Sequence, residues 1–161
     1  MCLSTKLQSV ISKIKKNALK IVTAESCTGG LLSKIFTDIP GSSKWFECGF
    51  ITYSNESKIK LLNVDFESLE KFGAVSSQVA KEMAIGALKK SNANFSISIT
   101  GVAGPDGGTK SKPVGTVYIC FAKENFIIKE FLFKTDGSRL DVRENTVNFI
   151  IDELNKLTLS S

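Results

Sequence analysis

Apolar residues recur at helical spacing at Leu7, Val10, Ile11, Ile14 and Ala18, with lysines on the other side, and predict an amphipathic first helix from Thr5 to Ala18. Lys20 to Ala24 is a compact apolar run that predicts a short central strand. A turn follows, then a helix from about Gly29 to Thr37, ended by Asp38-Ile39-Pro40-Gly41 because proline cannot continue it. Aromatic and β-branched residues from Glu47 to Tyr53 predict a second strand. Ser54 or Asn55 can cap the next helix, which carries Lys58 in its first turn and ends near Leu62. Asp65 to Phe72 reads as a short helix, and Ser76 or Ser77 caps a longer one reaching about Lys90.

Phe95 to Thr100 alternates apolar and small polar residues with the period of a strand. A glycine-rich loop from Gly101 to Pro113 comes next. Val114 to Ala122 and Phe126 to Lys134 are separated only by Lys123-Glu124-Asn125, which predicts an antiparallel hairpin. Ser138 with Asp141 resembles a capping box, and Leu140, Val147, Ile150, Ile151, Leu154 and Leu157 form the stripe of a closing helix. Helices alternating with the first three strands, then a hairpin, imply an α/β fold. The expectation is a three-layer α/β/α sandwich on a mixed, mostly parallel five-stranded sheet, folded as one domain over residues 1–161.

Composition narrows what this fold can do. With 161 residues, 42% of them hydrophobic, the chain has enough apolar surface for one core. No apolar run approaches the roughly 20 residues that span a bilayer, and the lysine-punctuated N-terminus lacks a signal-peptide core, so the expectation is a cytoplasmic protein with no membrane partner. Cys2, Cys27, Cys48 and Cys120 are scattered, as suits reduced thiols better than disulfides or a zinc site. There is no histidine, which removes Ser-His-Asp triads and histidine bases, so acid–base work falls to Lys, Asp, Glu, Tyr or Cys. The net charge of +5 is spread among alternating acids and fits a solvated surface; no aromatic-basic cluster marks nucleic-acid binding, while a phosphate-bearing small molecule is compatible.

Three stretches carry candidate chemistry. Thr23 to Gly30 would place Ser26 at the carboxyl end of the first strand, where α/β sheets bind ligands, although a serine in a turn also serves as a simple turn former. Cys27 beside it is a rival nucleophile, or a buried inert thiol. If the second strand runs parallel to the first, Lys58 can point back toward Ser26, and Tyr53 could hydrogen-bond either one. A lysine acts as a base only when burial or neighbouring positive charge lowers its pKa; otherwise Lys58 is an ordinary surface lysine. The Gly101 to Thr109 segment is neither a Rossmann fingerprint nor a P-loop, yet its glycines suit a backbone nest for phosphate or an oxyanion better than a plain connector.

Taken together, Ala24-Glu-Ser-Cys-Thr-Gly-Gly-Leu31, Gly41 to Phe46, Gly49 to Asn55 with Lys58, Gly73-Ala-Val-Ser76, Thr100 to Thr109 and Lys112-Pro-Val-Gly-Thr116 resemble the CinA C-terminal family. The resemblance runs in order from the first strand to the hairpin. It implies a stand-alone nicotinamide-nucleotide amidase that converts nicotinamide mononucleotide to nicotinic acid mononucleotide and ammonia in pyridine-nucleotide recycling. Ser26, Lys58 and Tyr53 match the family's catalytic positions, implying a metal-free Ser-Lys mechanism with no cofactor. Backbone N–H groups near Thr28, Gly29 and Gly30 would then serve the oxyanion. Ser42, Ser43, Asn55, Thr100, Gly101, Ala103, Gly104, Gly107, Gly108 and Thr109 would hold the nucleotide, with Arg139 or Arg143 as outside candidates for its phosphate. A non-catalytic nucleotide-binding module and an amidase for another small amide are the alternatives. The family and the exposed-looking Trp45-Phe46 segment suggest a homodimer.

Overall fold

A computed structural model describes residues 3–157, so Cys2 lies outside the described residues. The elements run α1 (Leu3–Lys16), β1 (Ile21–Glu25), α2 (Leu31–Thr37), β2 (Phe46–Ile51), α3 (Asn55–Leu62), α4 (Phe66–Phe72) and α5 (Ser77–Lys89). They continue with β3 (Phe95–Gly101), β4 (Thr116–Lys123), β5 (Phe126–Lys134) and α6 (Arg139–Lys156). The sheet order is β2-β1-β3-β4-β5. β1 pairs parallel with β2 and β3, and β4 is antiparallel to both β3 and β5. Four of the five strands therefore point the same way, and the mixed sheet with helices on both faces is the sandwich expected.

Alternation along β1 sorts the two layers. Ile21 packs into the apolar cluster shared with Val10, Leu32, Phe36, Val147 and Ile150, the layer of α1, α2 and α6. Val22 and Ala24 face the other way, into the cluster of Leu62, Leu69, Val79 and Met83 from α3, α4 and α5. β3 repeats the rule: Phe95, Ile97 and Ile99 join the first cluster, while the hydroxyls of Ser98 and Thr100 donate to Ala80 and Ala74 carbonyls of the second layer at 2.6 and 2.7 Å. Because β1, β2 and β3 are parallel, their carboxyl ends share one edge of the sheet. β5 points the same way, which delivers the N-terminus of α6 to that edge too.

Several boundaries and assignments differ from the sequence pattern. β2 stops at Ile51, because Thr52 and Tyr53 turn away to enter α3 behind the Ser54 cap. Val114 and Gly115 belong to the loop, and the hairpin itself closes through Glu124 and Asn125, both at positive φ as its tight two-residue turn requires. Trp45 is 2% exposed and meets Phe36 edge-on, so its ring is core, while Phe46 beside it is half-buried and packs against the same cluster. Leu140, expected on the buried stripe of α6, is exposed; Val142 and Thr146 occupy the buried positions instead.

Gly86 marks where α5 presses on the end of α3: a Cβ there would lie 2.0 Å from the Leu62 carbonyl oxygen. Alanine normally favours a helix over glycine by about 1 kcal/mol. Gly86→Ala should nevertheless destabilise the protein by about 1–3 kcal/mol through overpacking against backbone, measured as a lowered urea midpoint. A stability equal to or above the parent's would contradict this packing.

Candidate active site

At the carboxyl edge of the sheet, Ser26 continues β1, its N–H donating to the Ile99 carbonyl at 2.9 Å. The two-residue period of β1 puts Ser26 on the same face as Val22 and Ala24, toward α3 and α5. Lys58 sits one turn into α3, and its amine returns to the edge, 3.0 Å from Ser26 Oγ. The amine also donates to the Thr52 carbonyl at 2.7 Å and, at 3.5 Å, to the Tyr53 carbonyl. A neutral amine has two N–H groups and one lone pair. With the carbonyls accepting the N–H groups, the lone pair is left for the serine O–H.

Lys58 is 1% exposed, among the largest fully buried side chains in the described residues. Burial disfavours the ammonium form and pushes its pKa down to about 8. About a tenth of the amine is then neutral at pH 7, against less than about a thousandth for an ordinary lysine. Burial has the opposite effect on Cys27, pushing its thiol up to about 11, so beside Ser26 it stays a protonated wall residue.

Ser26 and Lys58 open into a cavity of about 260 Å³. One wall is Tyr53 and Asn55, a second Ala74 and Val75, and a third Thr100 with Gly101, Val102, Ala103, Gly104 and Gly107 of the loop. Asp106 and Arg139 complete the lining. Thus Ser26, Lys58, Tyr53, Asn55, Thr100, Gly101, Ala103, Gly104 and Gly107 gather around one space. Ser42 and Ser43 form a separate 3-10 turn, while Gly108 and Thr109 lie on the outer part of the loop, where Thr109 bonds with Lys112; none of these four lines the cavity.

Two expected roles are redirected. The Gly30 N–H, expected near an oxyanion, donates to the Glu25 carboxylate at 3.1 Å, and the Gly29 N–H donates to the Ser26 carbonyl at 3.0 Å. The Thr28 hydroxyl also donates to Glu25, at 2.7 Å, and Thr28 is fully buried. Gly30 is nonetheless required there, with φ of +93° and a neighbouring Ile51 methyl only 2.9 Å from where a Cβ would be. The Tyr53 hydroxyl bonds to neither Ser26 nor Lys58; it accepts from Arg139 at 2.6 Å, and the same guanidinium donates to the Gly104 carbonyl at 2.7 Å. Arg139 thereby joins α6, the loop and the approach to α3. Asp106 and Glu25 were not singled out from the sequence. Of the two arginines considered for the phosphate, Arg139 lines the cavity and Arg143 does not. Among the described residues, no group of three His, Cys, Asp or Glu side chains converges as a metal site.

Residues 4–158 match the model of the CinA C-terminal domain. The chain belongs to the CinA C-terminal domain family. One relative within reach of this CinA domain is the nicotinamide-nucleotide amidohydrolase PncC of Escherichia coli strain K12, 54% identical over 115 residues, covering 71% of this chain and 70% of that protein. A putative competence-damage inducible protein of Caldicellulosiruptor saccharolyticus is 48% identical over 151 residues, covering 94% of this chain but 36% of its own length. The CinA domain thus spans about a third of the longer curated relatives it matches. The crystal structure of the competence/damage inducible protein CihA from Agrobacterium tumefaciens superposes with a TM-score of 0.88 at 40% identity, covering 93% of this chain and 92% of that one.

The buried amine has a thermodynamic signature. Between pH 8 and 10.5 the unfolded chain holds the Lys58 proton while the folded CinA domain has released it, so the contribution to stability rises with pH across that window and its cost is fully present below it. In urea unfolding, the native protein should gain about 2 kcal/mol relative to Lys58→Met between pH 7.5 and 9.5. Parallel pH dependences for the two proteins would show that the amine is not held in this way.

Proposed function

We propose that this domain is an amidohydrolase that converts nicotinamide mononucleotide to nicotinic acid mononucleotide and ammonia, with Ser26 as nucleophile and Lys58 as its base. The observation carrying the chemistry is the 3.0 Å approach of a fully buried lysine amine to a serine hydroxyl inside a cavity. The substrate rests on the 54% identity to a nicotinamide-nucleotide amidohydrolase.

Neutral Lys58 takes the Ser26 proton as Oγ attacks the carboxamide carbon. The ammonium so formed returns the proton to the leaving nitrogen, the C–N bond breaks, ammonia departs and an acyl ester remains on Ser26. Lys58, neutral again, removes a proton from water as its oxygen attacks the ester; the acid product leaves and the proton returns to Ser26. With Gly29 and Gly30 bonded elsewhere, the candidate donors to the oxyanion are the backbone N–H groups of Ala103 and Gly104 in the cavity wall, a contribution on the order of 3 kcal/mol per donor. Arg139 at the mouth supplies positive charge for the nucleotide phosphate, and Tyr53, held by Arg139, borders the same opening. Thr100 and Asn55 line the space left for the ring and ribose. The reaction would return pyridine nucleotides to NAD synthesis, in the cytoplasm.

Purified protein given nicotinamide mononucleotide should release ammonia, and Ser26→Ala should lower kcat by about 1000-fold or more with the melting temperature retained. kcat/KM should rise about tenfold per pH unit below 8 and level off above it, because only the neutral amine is a base. Full activity in Ser26→Ala would overturn the nucleophile. Ligand-raised melting without ammonia release would instead mark a binding module.

A further inference from the structure

Glu25 is fully buried, one residue before the proposed nucleophile, and does not line the cavity. Strand alternation turns Glu25 to the opposite face of β1 from Ser26, beneath the start of α2. Its Oε2 accepts from the Thr28 hydroxyl at 2.7 Å and from the Gly30 and Leu32 N–H groups, each at 3.1 Å. Its Oε1 accepts from the Ser33 N–H at 2.8 Å and the Ser33 hydroxyl at 2.7 Å. Five donors and no acceptor converge on one carboxylate, which answers the desolvation that burying it costs. An ordinary N-cap uses one short side chain immediately before the helix. Here the carboxylate reaches from the strand end past Gly30 to Leu32 and Ser33 in the first turn of α2, closing the intervening peptide into a ring.

Arg143 of α6 holds the same peptide from outside. Its Nη2 and Nε donate to the Thr28 carbonyl at 2.8 and 3.3 Å. Ser26 therefore opens a turn whose Thr28–Gly29 peptide is held by Arg143 and whose Gly29–Gly30 peptide is held by Glu25.

We propose that Glu25 and Arg143 are positioning residues, a two-sided clamp on the Ser26 turn that aligns its hydroxyl with the Lys58 amine without touching substrate. The clamp rests on the roles given above to Ser26 and Lys58. Glu25 also fills the N-terminus of α2, which leaves substrate anions the loop and Arg139 side of the site. A displacement of the nucleophile by about 1 Å is enough to slow such a reaction on the order of 100-fold.

Glu25→Gln keeps the side chain's shape but turns an amide NH2 toward backbone N–H donors. With nicotinamide mononucleotide it should lower kcat about 100-fold while changing KM less than about threefold. The labelling rate of Ser26 by a fluorophosphonate, which needs the aligned serine but no nucleotide, should fall with it. Arg143→Gln, whose side chain is only half-buried, should lower kcat about tenfold, and guanidinium ion should restore part of it. The folded fraction of each variant, from circular dichroism, corrects both rates. Corrected kcat and labelling within twofold of the native protein in both variants would overturn the clamp and leave the amidase standing. A native protein that neither releases ammonia nor labels at Ser26 would overturn the amidase, and the clamp with it.

Discussion

A lysine amine taken out of water beside a serine hydroxyl is the constraint on which this site depends. Burial of Lys58 disfavours its ammonium form, and among the described residues no carboxylate is bonded to it to restore that form; its partners there are two main-chain carbonyls and Ser26. Desolvation lowers its pKa to about 8, against a smaller opposing effect of Cys27. Histidine would serve the same purpose with less burial, and the chain has none.

The fold supplies the rest through direction and phase. Parallel pairing of β1 with β2 brings Ser26 and the start of α3 to one edge, and the period of two along β1 turns Ser26 toward α3 while sending Glu25 under α2. The small hydroxyl residues of β3 let α5 close on that face, and the loop after β3 forms the far wall of the cavity. Arg139 arrives from the other end of the chain because β5 shares the direction of β1. Residues separated by more than a hundred positions thus meet at one edge by sheet geometry.

What could be read from the sequence follows from which interactions are local. The helices, the Ser138 cap and the strand alternation are set within a few residues and show in the pattern, while the structure chooses Ser54 over Asn55 and Ser76 over Ser77 as caps. The strand order does not show there, since parallel partners are chosen by crossovers far apart in the chain. For the same reason the Lys58 amine could be aimed at Ser26 only on the condition that β1 and β2 are parallel. Glu25 was passed over because a charged residue at a strand end reads as exposed, and only the packing of α2 against β1 supplies its donors. The Trp45-Phe46 pair errs in the other direction: flanked by Lys44 and Glu47 it reads as surface, yet Trp45 is buried against Phe36 and Phe46.

The protonation of Lys58 tests the account most directly. Protein labelled with 13C at lysine Cε, assigned by comparison with Lys58→Met, reports each ammonium's titration by NMR. One lysine should titrate near pH 8 and be absent from the variant. A Lys58 signal that remains in its ammonium form up to about pH 10 would contradict it.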